Sequence, residues 1–238
     1  MQYQGVQAGS SQAAGKLKVR IMVDTALQRL NMVESQVRPS DVVDRRIPLA
    51  MRAVEREHFV PEASRPVAYM DETIQLGNGR ALLPPRVLAK LIQHLELGDS
   101  DLVLDIGCAT GYSTAVLAQI AQTVVGLESD DKLADQAGTA IEAAGIDNAA
   151  IVRGSLEQGH DDEGPYDAIL VNGAVHDISP QLLDQLKDGG RLVAIQIEDG
   201  YGRAKQWRRL DSHFDARVIF DAAAAVLPGF EAEQSFVF

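Results

Sequence analysis

Asp105 enters the segment Ile106-Gly107-Cys108-Ala109-Thr110-Gly111-Tyr112, and Glu128 stands 21 residues beyond Gly107. Two glycines at this spacing let a backbone come close to a ligand. The dinucleotide fingerprint needs glycine at its first, third and sixth positions, but Ala109 and Tyr112 stand at the third and sixth. No Gly-Lys-Ser/Thr is present, so a P-loop is excluded. An acid entering Gly-x-x-x-Gly suits a cationic, non-phosphorylated nucleoside. Asp105 places negative charge near a sulfonium or an amino-acid ammonium, and Glu128 can accept hydrogen bonds from both hydroxyls of a ribose.

Other chemistry-bearing residues are weaker leads. Gly111-Tyr112-Ser113-Thr114-Ala115 approximates a nucleophile elbow with His213 downstream, yet Ser113 lies six residues past Gly107, inside the following helix rather than on the turn. His58, His94, His160, His176 and His213 are not paired at metal-ligand spacing, so no metal site is expected. Cys108 reads as a small loop residue. His160-Asp161-Asp162-Glu163-Gly164 reads as a solvated acidic loop, and Trp207-Arg208-Arg209 as strand surface. Arg80 and Arg86 bracket Ala81-Leu82-Leu83-Pro84-Pro85 and read as surface arginines, or as a pair of which one clamps a carboxylate.

Elements that must position these residues follow from periodicity. Apolar residues at Val23, Leu27, Leu30 and Val37 predict a helix over 23–37, and Ser40 is expected to cap a second one reaching about Arg56. Gly77-Asn78-Gly79 reads as a loop, and Pro84-Pro85 leads into a helix carrying Val87, Leu88, Leu91, Ile92 and Leu95. From Leu102 strands alternate with helices: strands at 102–106, 124–127, 150–153, 166–172 and 191–197, helices at 113–121 and 131–144. A third helix is expected from Ser179-Pro180 to Gly189-Gly190, and 206–210 and 216–220 are candidate antiparallel final strands. Such alternation predicts an α/β fold, a doubly wound parallel sheet, in which the turn after the first strand faces the ligand crevice.

With 238 residues the chain suits one α/β unit. No apolar run approaches a membrane span. Lys+Arg is 22 against 34 Asp+Glu, a net charge of −12 that repels phosphate backbones, so no nucleic-acid partner is expected. A single cysteine excludes an intrachain disulfide and fits a reducing, cytoplasmic setting. Residues 1–21 are Gln-, Gly- and Ser-rich with no acid, and read as a leader outside the fold, with Met22 the functional beginning. The expected organisation is 1–21 leader, 22–100 N-terminal helical and substrate segment, and 101–238 nucleoside-binding α/β domain, the last two forming one unit.

The chain resembles class I methyltransferases that use S-adenosylmethionine, and more specifically the protein-L-isoaspartate O-methyltransferase family. The N-terminal motifs carry the specific likeness: Met32-Val33-Glu34-Ser35-Gln36-Val37-Arg38, Ala53-Val54-Glu55-Arg56-Glu57-His58-Phe59-Val60-Pro61-Glu62 and Ala68-Tyr69-Met70-Asp71. Gly111-Tyr112-Ser113-Thr114-Ala115-Val116-Leu117-Ala118, Tyr166-Asp167-Ala168-Ile169 and residues 182–193 match the family's first helix and its fourth-strand to fifth-strand region. The likeness runs from about Met22 to Ile197. It implies a Rossmann-like seven-stranded sheet with an N-terminal helical segment. S-adenosylmethionine would be converted to S-adenosylhomocysteine, and the partner would be a protein or peptide carrying isoaspartyl. It also implies cofactor contacts from Asp105, Gly107, Gly111 and Glu128, with Cys108, Ala109, Ser155 and Leu156 completing the set.

Two departures stand out. The family's substrate segment, Gly-x-Gly-x-Thr-Ile-Ser-x-Pro, here reads Gly77-Asn78-Gly79-Arg80-Ala81-Leu82-Leu83-Pro84-Pro85, so Ala81 and Leu83 replace both hydroxyl residues. Gly154-Ser155-Leu156 ends the third strand where the family places an acid for the adenine amino group; Ser155 can still accept one hydrogen bond. A carboxylate is ionised at neutral pH and attacks a sulfonium methyl without a general base, so no acid–base pair is required. The leading expectation is carboxylate O-methylation, the catalytic side chains being unassigned within Gly79, Arg80, Ala81, Leu83 and Arg86. The alternatives are a cofactor-binding homologue without isoaspartyl activity and a methyltransferase with another acceptor.

Overall fold

The computed structural model describes residues 24–232, so the leader and the Met22 start lie outside the described residues. Asp24 caps α1 (Thr25–Met32) by accepting from the Leu27 amide at 3.0 Å, and the helix runs on as a π-helical turn over Val33–Val37. Met32, Val33 and Val37 face the core, but of the expected stripe only Val37 is buried: Leu27 is exposed, Leu30 is half-buried, and Val23 lies outside the described residues. The second helix differs from expectation: α2 spans Arg46–Ala53. Ser40 does not cap it, because its hydroxyl donates back to the Gln36 carbonyl and Asp41 adopts a left-handed φ of 60°, which breaks the chain there. The Asp44 carboxylate, bonded to the Arg46 amide and guanidinium, sets the start instead.

Two 3-10 turns follow at Arg56–Phe59 and Glu62–Val67. The segment read as a loop at 77–79 is the tip of a hairpin. β1 (Ile74–Gly77) pairs antiparallel with β2 (Arg80–Leu82) across Asn78-Gly79, whose φ values of 49° and 73° match the twist that two-residue hairpins need. α3 (Pro85–Gln93) starts with proline in its first turn and buries Leu88, Ala89, Leu91 and Ile92.

The main sheet contains β3 (Leu102–Ile106), β4 (Thr123–Glu128), β5 (Ala149–Arg153), β6 (Tyr166–Val175), β7 (Leu186–Glu198), β8 (Tyr201–Leu210) and β9 (His213–Asp221), in the order β5-β4-β3-β6-β7-β8-β9. The four pairings among the first five strands are parallel and the last two pairings antiparallel. α4 (Tyr112–Ala118) follows β3 and α5 (Asp131–Ala143) follows β4. Alternate residues serve the two faces, so the central strands are apolar on both, apart from polar residues such as Asp105, Glu128 and Asn172 towards their C-terminal ends. Val103, Val124, Ala168, Leu170 and Val193 join the cluster that includes Met32, Phe59, Leu83 and Leu91, whereas Leu104, Ile106, Leu127, Ile169 and Val171 join the opposite one.

The helix expected over 179–190 shrinks to α6 (Pro180–Leu183), because the chain is taken early into the sheet. Leu186, fully buried, pairs with Tyr166, and the Tyr166 amide donates to the Gln185 carbonyl at 2.8 Å. The final segment turns back over the C-terminal end of β6. The Ala174 amide donates to the Ala225 carbonyl and the Leu227 amide to the Ala174 carbonyl, each at 2.9 Å, and the His176 amide donates to the Phe230 carbonyl at 3.1 Å.

Candidate functional site

Strand order reverses between β3 and β6, which opens a crevice beyond their C-terminal ends. The loop from Gly107 to Gly111 borders it. Gly107 (φ 75°) and Gly111 (φ 90°) lie in the left-handed region. A Cβ on Gly107 would come within 3.0 Å of both Arg80 Nη2 and a Leu227 methyl, and one on Gly111 within 3.2 Å of the Ala137 Cβ. Conformation and space therefore both demand glycine. Ala109 also takes a positive φ of 52°. Thr110 anchors the loop by donating its hydroxyl to the Phe59 carbonyl at 2.6 Å.

Asp105 is wholly buried at the end of β3. Its Oδ2 accepts from Ser113 Oγ at 2.6 Å and Thr114 Oγ1 at 2.7 Å, and Asn172 Nδ2 donates to Ser113 Oγ at 2.7 Å. Asp105 Oδ1 and Asn172 Oδ1 have no partner among the described residues. Burial pushes the Asp105 carboxyl up to about 6, against the pull of the two hydroxyls. Two buried acceptors without donors, tied together through Ser113, fit a cationic donor such as an amino-acid ammonium. Ser113, weighed above as a nucleophile, is a hydrogen-bond bridge. Burial also pushes the Cys108 thiol well up, with Asp105 and Glu128 adding to the effect, so it stays protonated and inert.

Glu128 ends β4 as expected but is not presented to solvent. Its Oε1 accepts from Arg80 Nη1 at 2.5 Å and from the amides of Ser129 and Asp130 at 2.8 and 3.1 Å; its Oε2 accepts from the Ala109 amide at 2.8 Å. Arg80, 3% exposed, reaches from β2 and also donates to the Gly107 carbonyl at 3.0 Å. The structure thus brings Arg80, Gly107, Ala109 and Glu128 together.

Elsewhere the placements divide. Arg86 is exposed and pairs with Asp71 at 3.2 Å, away from this cluster. Gly79 is exposed at the hairpin tip, and Ala81 sits opposite Gln75 in the hairpin. Leu83, 4% exposed, belongs to the core, so the position expected to face a substrate carboxylate is filled by a packed side chain. Ser155 is exposed just past β5, and Leu156 is buried in the core of the opposite face.

Three residues escaped the sequence reading. Arg56, fully buried, donates to the carbonyls of Ala68 and Leu83 at 2.8 Å each and lies 4.6 Å from the Tyr112 ring centre, tying the substrate segment to the glycine loop. Asn172 had a signal, a polar residue closing an apolar strand beside the crevice. Leu227 had none, since its segment has no period; its side chain packs against Gly107 and Gly173 at the strand reversal. Beside this cluster a groove of about 1120 Å³ runs between residues 53–61, the tip of β1 and α5, touching the loop at Thr110.

A seven-stranded sheet with a glycine loop at its reversal point and acids ending β3 and β4 defines an S-adenosylmethionine-dependent, class I methyltransferase. The family model described as protein-L-isoaspartate(D-aspartate) O-methyltransferase matches residues 28–227. The chain belongs to this family. It is 41% identical over 167 residues to the protein-L-isoaspartate O-methyltransferase of Methanoculleus marisnigri, covering 70% of this chain and 76% of that one. It is 40% identical over 165 residues to protein-L-isoaspartate O-methyltransferase 2 of Shewanella sediminis, covering 69% and 68%. A solved Plasmodium falciparum structure, assigned to the same activity and in complex with S-adenosyl-L-homocysteine, superposes with a TM-score of 0.73 at 21% identity, over 84% of this chain and 97% of that one; it shares the fold. Among the described residues no helix is long and apolar enough to cross a membrane.

Proposed function

We propose that the protein transfers the methyl group of S-adenosylmethionine to a carboxylate of a protein or peptide, isoaspartyl being the leading acceptor, in a reducing, cytoplasmic setting. The observation that carries this reading is the pair of unanswered acceptors on Asp105 and Asn172 at the glycine loop, in a chain of this family. Asp105 and Asn172 would take the cofactor's ammonium, Gly107, Cys108, Ala109 and Gly111 would allow the close backbone approach, and Glu128 would take the ribose. Ser155 and the Leu156 backbone would border the adenine. The cofactor supplies an activated methyl on a sulfonium: the carboxylate oxygen forms the new C–O bond as the C–S bond breaks and sulfur keeps the pair, and no proton moves. The chain's own residues supply alignment and exclusion of water. We also propose that residues 24–100 and 101–232 act as one unit, since a single apolar cluster includes residues of both.

A second reading, the same transfer to a different carboxylate, is favoured by Ala81 and by Leu83, which is packed in the core. Titration with S-adenosylmethionine followed by release of S-adenosylhomocysteine with an isoaspartyl peptide tests the first reading. Cofactor binding without turnover of that peptide, together with release of S-adenosylhomocysteine on another carboxylate, selects the second. No cofactor binding refutes both.

A further inference from the structure

Arg80 holds the acceptor atom that the cofactor reading needs. Glu128 Oε2 takes one donor, the Ala109 amide, whereas Oε1 is already full, with Arg80 Nη1 at 2.5 Å and the amides of Ser129 and Asp130 at 2.8 and 3.1 Å. A ribose that uses both carboxylate oxygens must displace a donor from Oε1, and Arg80 is the charged side chain among them. The pair is asymmetric. Without Arg80, Glu128 keeps three backbone donors, from Ala109, Ser129 and Asp130. Without Glu128, Arg80 keeps only the Gly107 carbonyl. Arg80 also sits on a three-residue strand next to an exposed two-residue turn, whereas Glu128 ends a fully paired strand inside the main sheet. The arginine is therefore the partner that can move.

We propose that Arg80 is handed from Glu128 to the acceptor carboxylate when the cofactor binds. The inference rests on the methyltransferase reading and adds the group that binds the acceptor and the order of binding. A ribose hydroxyl on Glu128 Oε1 displaces the guanidinium. A displaced arginine on β2 still needs an anion, because a charge leaving a buried pair keeps its desolvation cost until a new partner is found. A substrate carboxylate is such a partner, planar and matched to the guanidinium fork. Among residues 74–86, Arg80 is the one buried side chain that carries a donor: Ala81 and Leu83 have none, and Arg86 is exposed on Asp71. The two departures of the substrate segment thus fit together, an arginine standing in for two absent hydroxyls. Before the cofactor arrives the arginine is engaged by Glu128, so the acceptor site forms second.

The test is calorimetric. S-adenosylhomocysteine is titrated into the parent, Arg80→Gln and Arg80→Lys, and an isoaspartyl hexapeptide into each with and without saturating S-adenosylhomocysteine. Arg80→Gln should bind S-adenosylhomocysteine at least about threefold more tightly, because an internal competitor is gone. The peptide should bind the parent only in the presence of S-adenosylhomocysteine, and Arg80→Gln should weaken that binding by roughly ten- to a hundredfold. Arg80→Lys, which keeps the charge but loses the fork, should fall between and serves if the glutamine variant does not fold. Equal or weaker S-adenosylhomocysteine binding by Arg80→Gln overturns the competition. Peptide binding to the parent without S-adenosylhomocysteine, no peptide binding with it, or peptide binding indifferent to Arg80 overturns the handover. Absence of S-adenosylhomocysteine binding by parent and variants alike removes the methyltransferase reading itself, a result distinct from the others.

Discussion

Replacing Asp105 by Asn should make the protein more stable and a poorer cofactor binder at the same time. The carboxyl is fully buried and its pKa is raised from 3.8 to about 6, with burial the largest cause. A raised carboxyl means that the native state holds its proton where the unfolded chain has released it. Stability from this group therefore falls as pH rises from about 4 to about 6 and stays lowered above that. At about 1.4 kcal/mol per pH unit of displacement, the ionised group costs at most about 3 kcal/mol at neutral pH. Asn keeps an oxygen to accept from Ser113 and Thr114 and has no charge to bury, so we expect about 1–2 kcal/mol of the penalty back. For a chain of this size that raises Tm by roughly 2–8 °C at pH 7.5. Near pH 4 most of the gain should vanish, since the native carboxyl is then protonated and the unfolded one is only partly ionised. Losing a charge-assisted hydrogen bond to an ammonium should weaken S-adenosylhomocysteine by roughly ten- to a hundredfold. Thermal unfolding from pH 4 to 8, with calorimetry at pH 7.5, reads both effects. A variant that is no more stable at pH 7.5, or whose gain persists unchanged at pH 4, refutes the burial argument; unchanged affinity removes Asp105 from the ammonium site.

Glu128→Ala should lose about 3–5 kcal/mol of stability, seen in urea midpoints, because it strands the Arg80 charge in a buried site; equal midpoints would show that Arg80 escapes to solvent at no cost. Gly173→Ala places a Cβ 2.6 Å from Leu227 Cδ2, so it should cost about 1–3 kcal/mol, and Leu227→Ala should absorb part of that cost in the double variant. Simple additivity in that cycle would mean that the two do not touch. Arg56→Met should cost about 2–4 kcal/mol, leaving the Ala68 and Leu83 carbonyls without donors. Leu83→Ser should lower Tm by several degrees without raising isoaspartyl turnover above the parent's, since the new hydroxyl would point into the core; a gain in turnover would place residue 83 in the acceptor site after all.

What the residues determined alone is what lies within one segment. The apolar run of β3, the glycines at 107 and 111, the strand-end acids Asp105 and Glu128 and the Pro85 helix start are local patterns, and alternation of strands with helices implies the crevice. Patterns that compete with distant partners were not legible. The helix after Ser179 ends at Leu183 because Leu186 pairs with Tyr166 in the sheet, and Ser40 loses its cap role to a bond within its own preceding turn. Glu128 was recognisable as a carboxylate at a strand end, but its partner lies 48 residues away. Leu227, Gly107 and Gly173 meet only because the chain reverses strand order at β3 and β6 and then returns across the gap. Which side chain fills a crevice, and which charge a buried acid holds, depends on segments that sequence spacing does not bring together. The tertiary structure settled those partners: packing pressed Leu83 into the core, and the desolvated charge of Arg80 meets the carboxylate of Glu128.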